Sequence, residues 1–373
     1  MSDRQAQMRE FLDRAGWGAA DIAPLPGDAS TRRYARLALG ARKAMLMDQP
    51  QGAETPAAPP DTSAAERAAL GYNAVARLAG ADCARFAAVA EHLRGQGLSA
   101  PEIYAADHPN GFVILEDLGD DLFADVLAAG GDEEALYRAA VEVLARLHRY
   151  DAPFYLPPPV SASARSATLF AYDSTALLAE TDLLTEWFLP LALGRAATPD
   201  EVADHRALWT AALDGIGAGR RVLIHRDYHA QNLLWLPRRA GVARVGLIDF
   251  QDAVAGSPAY DPVSLIEDAR RDVSPAVAQA ATAHYLSAMA AQGTPLDEAA
   301  FRREMAVMAA QRNAKIVGIF ARLYRRDGKA RYLDLLPRVW GHLERDLAHP
   351  ALADLRAWYD RAIPAGQRRR IAA

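Results

Sequence analysis

The chain has 373 residues, 51% of them hydrophobic and 24% charged, with a formal net charge of -5. That balance is typical of a globular protein in water, and the length exceeds what one ordinary core needs, so two lobes are expected. A single cysteine, Cys83, excludes an internal disulfide framework and a cysteine-based zinc cluster, and the acidic balance gives no electrostatic reason for a nucleic-acid partner.

No stretch reaches the roughly 20 apolar residues that span a bilayer, so no membrane association is expected. The opening MSDRQAQMREFLDRAG is charged throughout and lacks the apolar core of a secretory signal, so the expected location is cytoplasmic. Met8, Phe11, Leu12 and Ala15 recur at helical spacing and predict an amphipathic helix over 1–15. Residues 25–37, LPGDASTRRYARL, read as a small-residue turn entering a strand, with a turn at Gly40 and a second strand over 44–47. Such a turn exposes backbone N–H groups and suits a loop lying over phosphates, which makes Ser30, Thr31, Arg32 and Arg33 candidate nucleotide contacts. The same residues also suit an ordinary hairpin. The chain has three lysines, Lys43, Lys315 and Lys329, so Lys43 is the one available beside that loop. Either it reaches the phosphates, with Glu91 as its helix partner, or Arg32 or Arg33 does; Lys43 also reads as a surface turn residue.

Residues 50–65 are rich in Pro, Ala and Thr without a period and predict a loop inserted between a strand and a helix. Helices are expected over 66–78 and 84–94, then a strand pair turning at Pro109-Asn110-Gly111. The segment FVILEDLG, 112–119, ends an apolar strand in a turn. As a hinge between lobes it would offer the backbone of Glu116 and Leu118 to an adenine edge, dividing the chain into 1–118, binding nucleotide, and 119–373, holding the catalytic and acceptor groups. As a plain buried strand it would do neither.

The remainder reads as mainly helical. A helix over 135–150 turns one apolar face inward, and His148 on it reads as a core histidine. The stretch LIHRDYHAQNLLWLPRRAGVARVGLIDFQ, 223–251, carries two short apolar strands, LLWL and VARVGLI, joined by a polar turn. Asp227, Asn232 and Asp249 in it fall in the order and spacing of the protein-kinase pattern, H-R-D-L-x-x-x-N followed by D-F-G. The chemistry accounts for the residue types: magnesium takes hard oxygen ligands, which Asn232 and Asp249 supply, and an acceptor hydroxyl needs a carboxylate within hydrogen-bond reach, which Asp227 supplies. Each half of the pattern alone is as common in turns and caps; together, in order and joined by a hairpin, they favour catalysis. A metal site on His225 and His229 is the competing sharp reading.

After Asp249 the chain reaches Gly256-Ser257-Pro258 and Tyr260-Asp261-Pro262 almost at once. Asp261 before Pro262 reads as a helix N-cap, and the short connection leaves no room for a peptide-docking loop, which points to a small-molecule acceptor. Over 311–323 an amphipathic helix carries Arg312 and Lys315, readable as a solvated face or as contacts to an anionic group on the acceptor. Arg368, Arg369 and Arg370 read as a solvated tail.

With GDASTRRY, ILEDLGD, IHRDYHAQN, GLIDFQDAVAGSPAYD, KIVGIFARLYRRDGKARYL and LPRVW in place, the chain resembles the aminoglycoside phosphotransferase/choline kinase superfamily. Within it the chain is most similar to bacterial anomeric kinases of N-acetylmuramate and N-acetylglucosamine. The resemblance covers nearly the whole chain apart from 50–80. It implies an α+β, bilobal, protein-kinase-like fold with a small β-rich N-lobe and a larger, mostly helical C-lobe. It further implies ATP and Mg2+ as cofactors, with Asp227 as base, Asn232 and Asp249 on the metal, and His229 and Asp252 beside the acceptor. The implied reaction is phosphorylation of the C1 hydroxyl to the α-1-phosphate, in recycling of peptidoglycan sugars toward UDP-N-acetylmuramate, with no obligatory protein partner. The sequence departs from the protein-kinase pattern in lacking the V-A-I-K lysine. Two rivals are a kinase of aminoglycosides or choline-like cations, which needs an acidic acceptor pocket, and a nucleotide-binding pseudokinase scaffold.

Overall fold

A computed structural model describes residues 3–26, 31–52, 57–157 and 167–369; Ser30 and Arg370 lie outside the described residues. The chain packs as two units, one comprising residues 1–132, 153–170 and 230–254, the other 133–152, 171–229 and 255–373. Strands and helices are numbered along the whole chain.

The first unit is built on an antiparallel sheet of five strands in the order β1 (Asp21–Pro24), β2 (Arg33–Leu39), β3 (Arg42–Asp48), β5 (Phe112–Leu115) and β4 (Ile103–Asp107). Period-two alternation sends Ala44 and Leu46 of β3 and Phe112 and Ile114 of β5 to one face, where they meet Phe11 and Leu12 of helix α1 (Asp3–Arg14) and Trp17. The expected opening helix is therefore present and packs by the residues that predicted it. The tight turn into β5 requires glycine: Gly111 has φ +73°, and a Cβ there would sit 2.0 Å from the Gln49 carbonyl.

Helix α2 (Ala64–Leu70) opens with a Ser63/Glu66 capping box and stops at Gly71, whose φ of +101° ends the helix, so the single helix expected over 66–78 is broken into α2 and the short α3 (Tyr72–Val75). Asp82 caps α4 (Cys83–Gly95). A short helix α5 (Phe123–Ala128), a two-strand ribbon of β6 (Tyr155–Leu156) and β7 (Ala167–Thr168), and the hairpin of β9 (Leu233–Trp235) and β10 (Val245–Leu247) complete the unit. Residues 242–244 are a 3-10 turn, not the start of the second strand.

Packing does not divide the chain by a single cut at 118. Leu122 bridges to Leu234, Ser99 bridges to Gly246, and Arg239 donates to Glu116 at 2.5 Å, so 119–132 and 230–254 belong with the sheet. A side chain at Gly246 would lie 3.2 Å from Leu234 and Leu236 and 3.3 Å from Leu118, so glycine lets these leucines close over the hairpin.

The second unit contains β8 (Val222–Ile224) and helices α6 (Glu133–Leu147), α7 (Ser174–Leu183), α8 (Leu189–Leu193), α9 (Pro199–Leu213), α10 (Tyr260–Ile266), α11 (Pro275–Ala291), α12 (Glu298–Asp327), α13 (Leu336–Asp346) and α14 (Ala353–Ala362). The 30-residue α12 packs against α7, α10 and α13, while α6 packs on α11. A Cβ at Gly318 would be 2.5 Å from Leu183, so glycine permits the close approach of α12 to the end of α7. His148 is buried against Tyr285, 2.8 Å away, as a core histidine. Arg368 is buried rather than part of a solvated tail: it donates to the Ile363 and Tyr359 carbonyls and to Asp360. No helix among the described residues is long and apolar enough to cross a membrane.

Candidate active site

The Asp249 turn is shaped by residues of the first unit. Phe250 stacks on Phe86 of α4 with ring centroids 4.9 Å apart. Arg85, one position earlier on α4 and buried, donates to the carbonyls of Gln251 at 3.1 Å and Ala253 at 2.6 Å. Asp252 accepts the Ala79 N–H at 2.6 Å and Gln251 Nε2 at 3.3 Å. These bonds hold Asp249 at φ +63°, a left-handed conformation rare for a residue with a side chain. Its carboxylate stays 43% exposed. Oδ1 accepts from Arg32 at 3.2 Å and Gln251 Nε2 at 3.1 Å, and Oδ2 from Asn232 Nδ2 at 3.5 Å.

That donor set fits a divalent cation. An exposed carboxylate has gathered three nitrogen donors around it, and the Asn232 amide carries a second hard oxygen on the carbon that bears Nδ2. The expected neighbours Asn232, Asp249 and Arg32 are therefore together. Thr31 accepts from Gln49 Nε2 at 3.0 Å, and Arg33 is exposed at the start of β2. Lys43 is exposed and, among the described residues, makes no ion pair with Glu91. Glu116 gives its N–H to the Glu102 carbonyl at 2.8 Å, so that donor is not available to an adenine edge. Its carbonyl and the Leu118 N–H have no backbone partner among the described residues.

Asp227 belongs to the second unit. Arg226 before it has φ +75°, and this strained turn is held by Asp261 of α10, whose buried carboxylate accepts the N–H groups of His225 at 2.7 Å and Arg226 at 3.0 Å. Asp261 is thus not the N-cap of α10 that its place before Pro262 suggested; Ala259 holds that position. Burial pushes the Asp261 carboxyl up to about 7 against the pull of these two donors.

Asp227 itself is half-buried. Burial pushes its carboxyl up, but Lys315, His229, Arg226 and His225 outweigh that and hold it down at about 2. A carboxylate held this way stays ionised at neutral pH. The cations beside it are fixed by Glu180 of α7, which is fully buried, pairs with Arg226, and lies 3.3 Å from Lys315 Nζ and 3.1 Å from Gln311 Nε2. Tyr172 donates to the same carboxylate and lies under the Arg226 guanidinium.

The expected acceptor contacts separate into two groups. His229 is buried and donates its N–H to the Asp227 carbonyl at 3.1 Å. Arg312 and Lys315 are buried rather than on a solvated face: Arg312 donates to the Glu267 carbonyl at 3.2 Å, and Lys315 is held by Glu180 and the Tyr260 hydroxyl. Asp252 lies in the first unit with both oxygens accepting hydrogen bonds. No group of three or more metal-ligating His, Cys, Asp or Glu side chains occurs among the described residues, which leaves the His225/His229 metal reading without support. Sequence reasoning missed Arg85, Glu180 and Asp261 as supports of the motif; the one visible signal was an arginine inside the apolar run CARFAAVA.

Fold and sequence together define the class, a nucleotide-dependent phosphotransferase. The fold is shared with choline kinase LicA from Streptococcus pneumoniae, at a TM-score of 0.56 and 14% identity over 94% of this chain and 99% of that one. It is shared also with an ADP-bound aminoglycoside phosphotransferase, at a TM-score of 0.52 and 14% identity over 95% and 99%. Residues 21–298 match the phosphotransferase enzyme family, APH, and the chain belongs to that family. It is 45% identical over 371 residues, 99% of each chain, to a protein of Caulobacter vibrioides named N-acetylmuramate/N-acetylglucosamine kinase. A protein of Pseudomonas aeruginosa with the same name is 33% identical over 352 residues, 93% of this chain and 90% of its own.

Proposed function

We propose that this chain is an ATP-dependent kinase of the anomeric C1 hydroxyl of N-acetylmuramate and N-acetylglucosamine. Its product is the α-1-phosphate, and its place is cytoplasmic recycling of peptidoglycan sugars toward UDP-N-acetylmuramate. The observation that carries this is the 45% identity to the Caulobacter vibrioides kinase over 99% of both chains. The charges near His229 support it against a cationic acceptor: Arg270 and Arg312 balance Asp268 and Asp227 there, where an aminoglycoside or choline-like group needs a predominantly acidic set.

In this reading Asp227 accepts the proton of the C1 hydroxyl as the oxygen attacks the γ-phosphorus in line and the bond from that phosphorus to the β,γ-bridging oxygen breaks, releasing ADP. Its depressed proton affinity keeps it ionised while the hydroxyl is aligned, so its role is orientation with late proton transfer. Asn232 and Asp249 hold magnesium, which neutralises charge on the nucleotide oxygens when bound. Arg32, beside Asp249, is the basic group we assign to the phosphates, with Thr31 and the exposed Arg33 and Lys43 nearby in sequence. The Glu116 carbonyl and Leu118 N–H face the adenine edge.

An ADP-release assay over N-acetylmuramate, N-acetylglucosamine, aminoglycosides and choline tests the substrate class. Turnover of the two amino sugars is expected. Turnover of an aminoglycoside or choline without either amino sugar would replace the reading, and nucleotide binding without any phosphorylated product would turn it into a scaffold.

A further inference from the structure

The connection that follows α10 carries Asp268, Arg270 and Arg271; of these Asp268 and Arg270, with Asp227 and with Arg312 of α12, place charge around the imidazole of His229. Most cations in this region already have a partner. Arg271 donates to Glu133 at 2.7 Å and Tyr137 at 2.8 Å, and Arg338 to Asp272 at 2.6 Å. Lys315 lies on Glu180, and buried Arg312 donates to the Glu267 carbonyl.

Arg270 differs. Its backbone N–H is anchored on Asp268 Oδ1 at 2.8 Å, which fixes where the side chain starts, and its Nη1 reaches within 3.5 Å of His229 Nε2. The residue is half-exposed, and among the described residues its guanidinium makes no ion pair. A guanidinium has five N–H donors in a planar fork that matches a carboxylate, so four of them remain to be used by something that arrives.

We propose that Arg270 is a specificity-determining residue that recognises a carboxylate on the sugar acceptor, and so separates the acidic amino sugar from the neutral one. The inference rests on the function proposed above. N-acetylmuramate differs from N-acetylglucosamine by a lactyl ether on C3, and its carboxylate is the charge that one sugar has and the other lacks. C3 is two ring atoms from C1, so its substituent stays within a few ångströms of the group that meets the C1 hydroxyl. The His229 imidazole lies where the Asp227 charge acts on it and brings its Nε2 to 3.5 Å from Arg270, so a sugar whose C1 hydroxyl meets Asp227 has its C3 substituent within reach of the guanidinium. The arginine acts on binding of the carboxylate and takes no part in the transfer.

The test is steady-state kinetics of wild type, Arg270→Met and Arg270→Lys on both sugars at saturating Mg-ATP, with N-acetylglucosamine as an internal control for folding. Losing a charge-assisted pair is expected to raise KM for N-acetylmuramate by about 10- to 100-fold in Arg270→Met, with kcat and all N-acetylglucosamine constants within about threefold. Arg270→Lys, which keeps the charge and loses the fork, is expected to fall between the two. A parallel loss on both sugars, or no change on either, overturns the inference while leaving the proposed function standing. A wild-type chain that phosphorylates neither sugar overturns the proposed function and this inference with it.

Discussion

Asp261 holds Arg226 in a left-handed backbone conformation by accepting its N–H at 3.0 Å, and does so from the interior of the helical unit. The strain at Arg226 is what turns the next side chain, Asp227, out of the strand β8 direction. Asp261→Asn keeps the shape but sets an amide donor against one of two N–H groups, leaving it unsatisfied at a cost of about 1–3 kcal/mol. A fall in kcat of about 10- to 100-fold is expected, with nucleotide KM changed less than about threefold. Steady-state kinetics alongside far-UV circular dichroism checks this; a changed nucleotide KM with unchanged kcat contradicts it.

Glu180, Arg226 and Lys315 form a buried group in which one carboxylate faces two cations. Removing Glu180 alone leaves the two cations with the Asp227 carboxylate as the nearby counter-charge in a low-dielectric interior, and Glu180→Gln is expected to destabilise the fold by about 3 kcal/mol. The double variant Glu180→Gln with Lys315→Met removes one charge of each sign and is expected to lose less than the sum of the single changes. Urea denaturation of the four proteins measures the coupling, and strict additivity contradicts the placement of these groups.

Arg32 pairs with the Asp249 carboxylate, so a divalent cation held there, as proposed, would compete with it. The pair is partly exposed and is worth at most about 1 kcal/mol, so Arg32→Ala is expected to tighten Mn2+ binding in the absence of nucleotide by no more than about fivefold. The same change removes the assigned phosphate contact and is expected to weaken ATP binding. Electron paramagnetic resonance titration with Mn2+ and a separate fluorescence titration with ATP read the two effects; weaker binding of both speaks against competition.

Much of this site was legible because its spacing is local. The motif from His225 to Asn232, the hairpin of β9 and β10, and Asp249 two residues beyond it are set within one short stretch, and helical and period-two patterns located α1, α4, α6 and the central strands. What could not be read depends on partners distant in sequence. Asp261 before Pro262 has the local form of an N-cap, but its carboxylate goes to a backbone turn far upstream. Arg312 and Lys315 have the spacing of a solvated stripe, yet α12 lies at the centre of its unit and Glu180 and Glu267 cover both. Strand β1 escaped notice because DIAP is short and exposed along its length, held by backbone pairing with β2.

His205 gives a pH dependence with a definite sign. It is fully buried among Trp209, Trp358 and Tyr359, and its Nε2 accepts from Trp209 Nε1 at 3.0 Å. Burial holds its imidazole down at about 3, from an ordinary value of 6.5. Below 6.5 the unfolded chain takes up a proton that the folded chain refuses, so this contribution to stability is present above 6.5 and is lost as pH falls toward 3. Asp261 has the opposite sign: its folded value near 7 lies above the ordinary 3.8, so its contribution is full below about 4 and gone by about 7. His205→Gln keeps an acceptor for Trp209 and removes the His205 contribution alone. Between pH 8 and pH 5 the variant is expected to lose about 2 kcal/mol less stability than wild type. Chemical denaturation at the two pH values checks this, and equal losses contradict it.

The most direct measurement is phosphorus NMR of the product formed by the wild-type chain from N-acetylmuramate and Mg-ATP, with Asp227→Asn alongside. Transfer to the anomeric hydroxyl predicts one new phosphomonoester resonance coupled to the C1 proton, absent with the variant although it folds and binds ATP. A resonance coupled to any other sugar proton, or product formed equally well by Asp227→Asn, would contradict it.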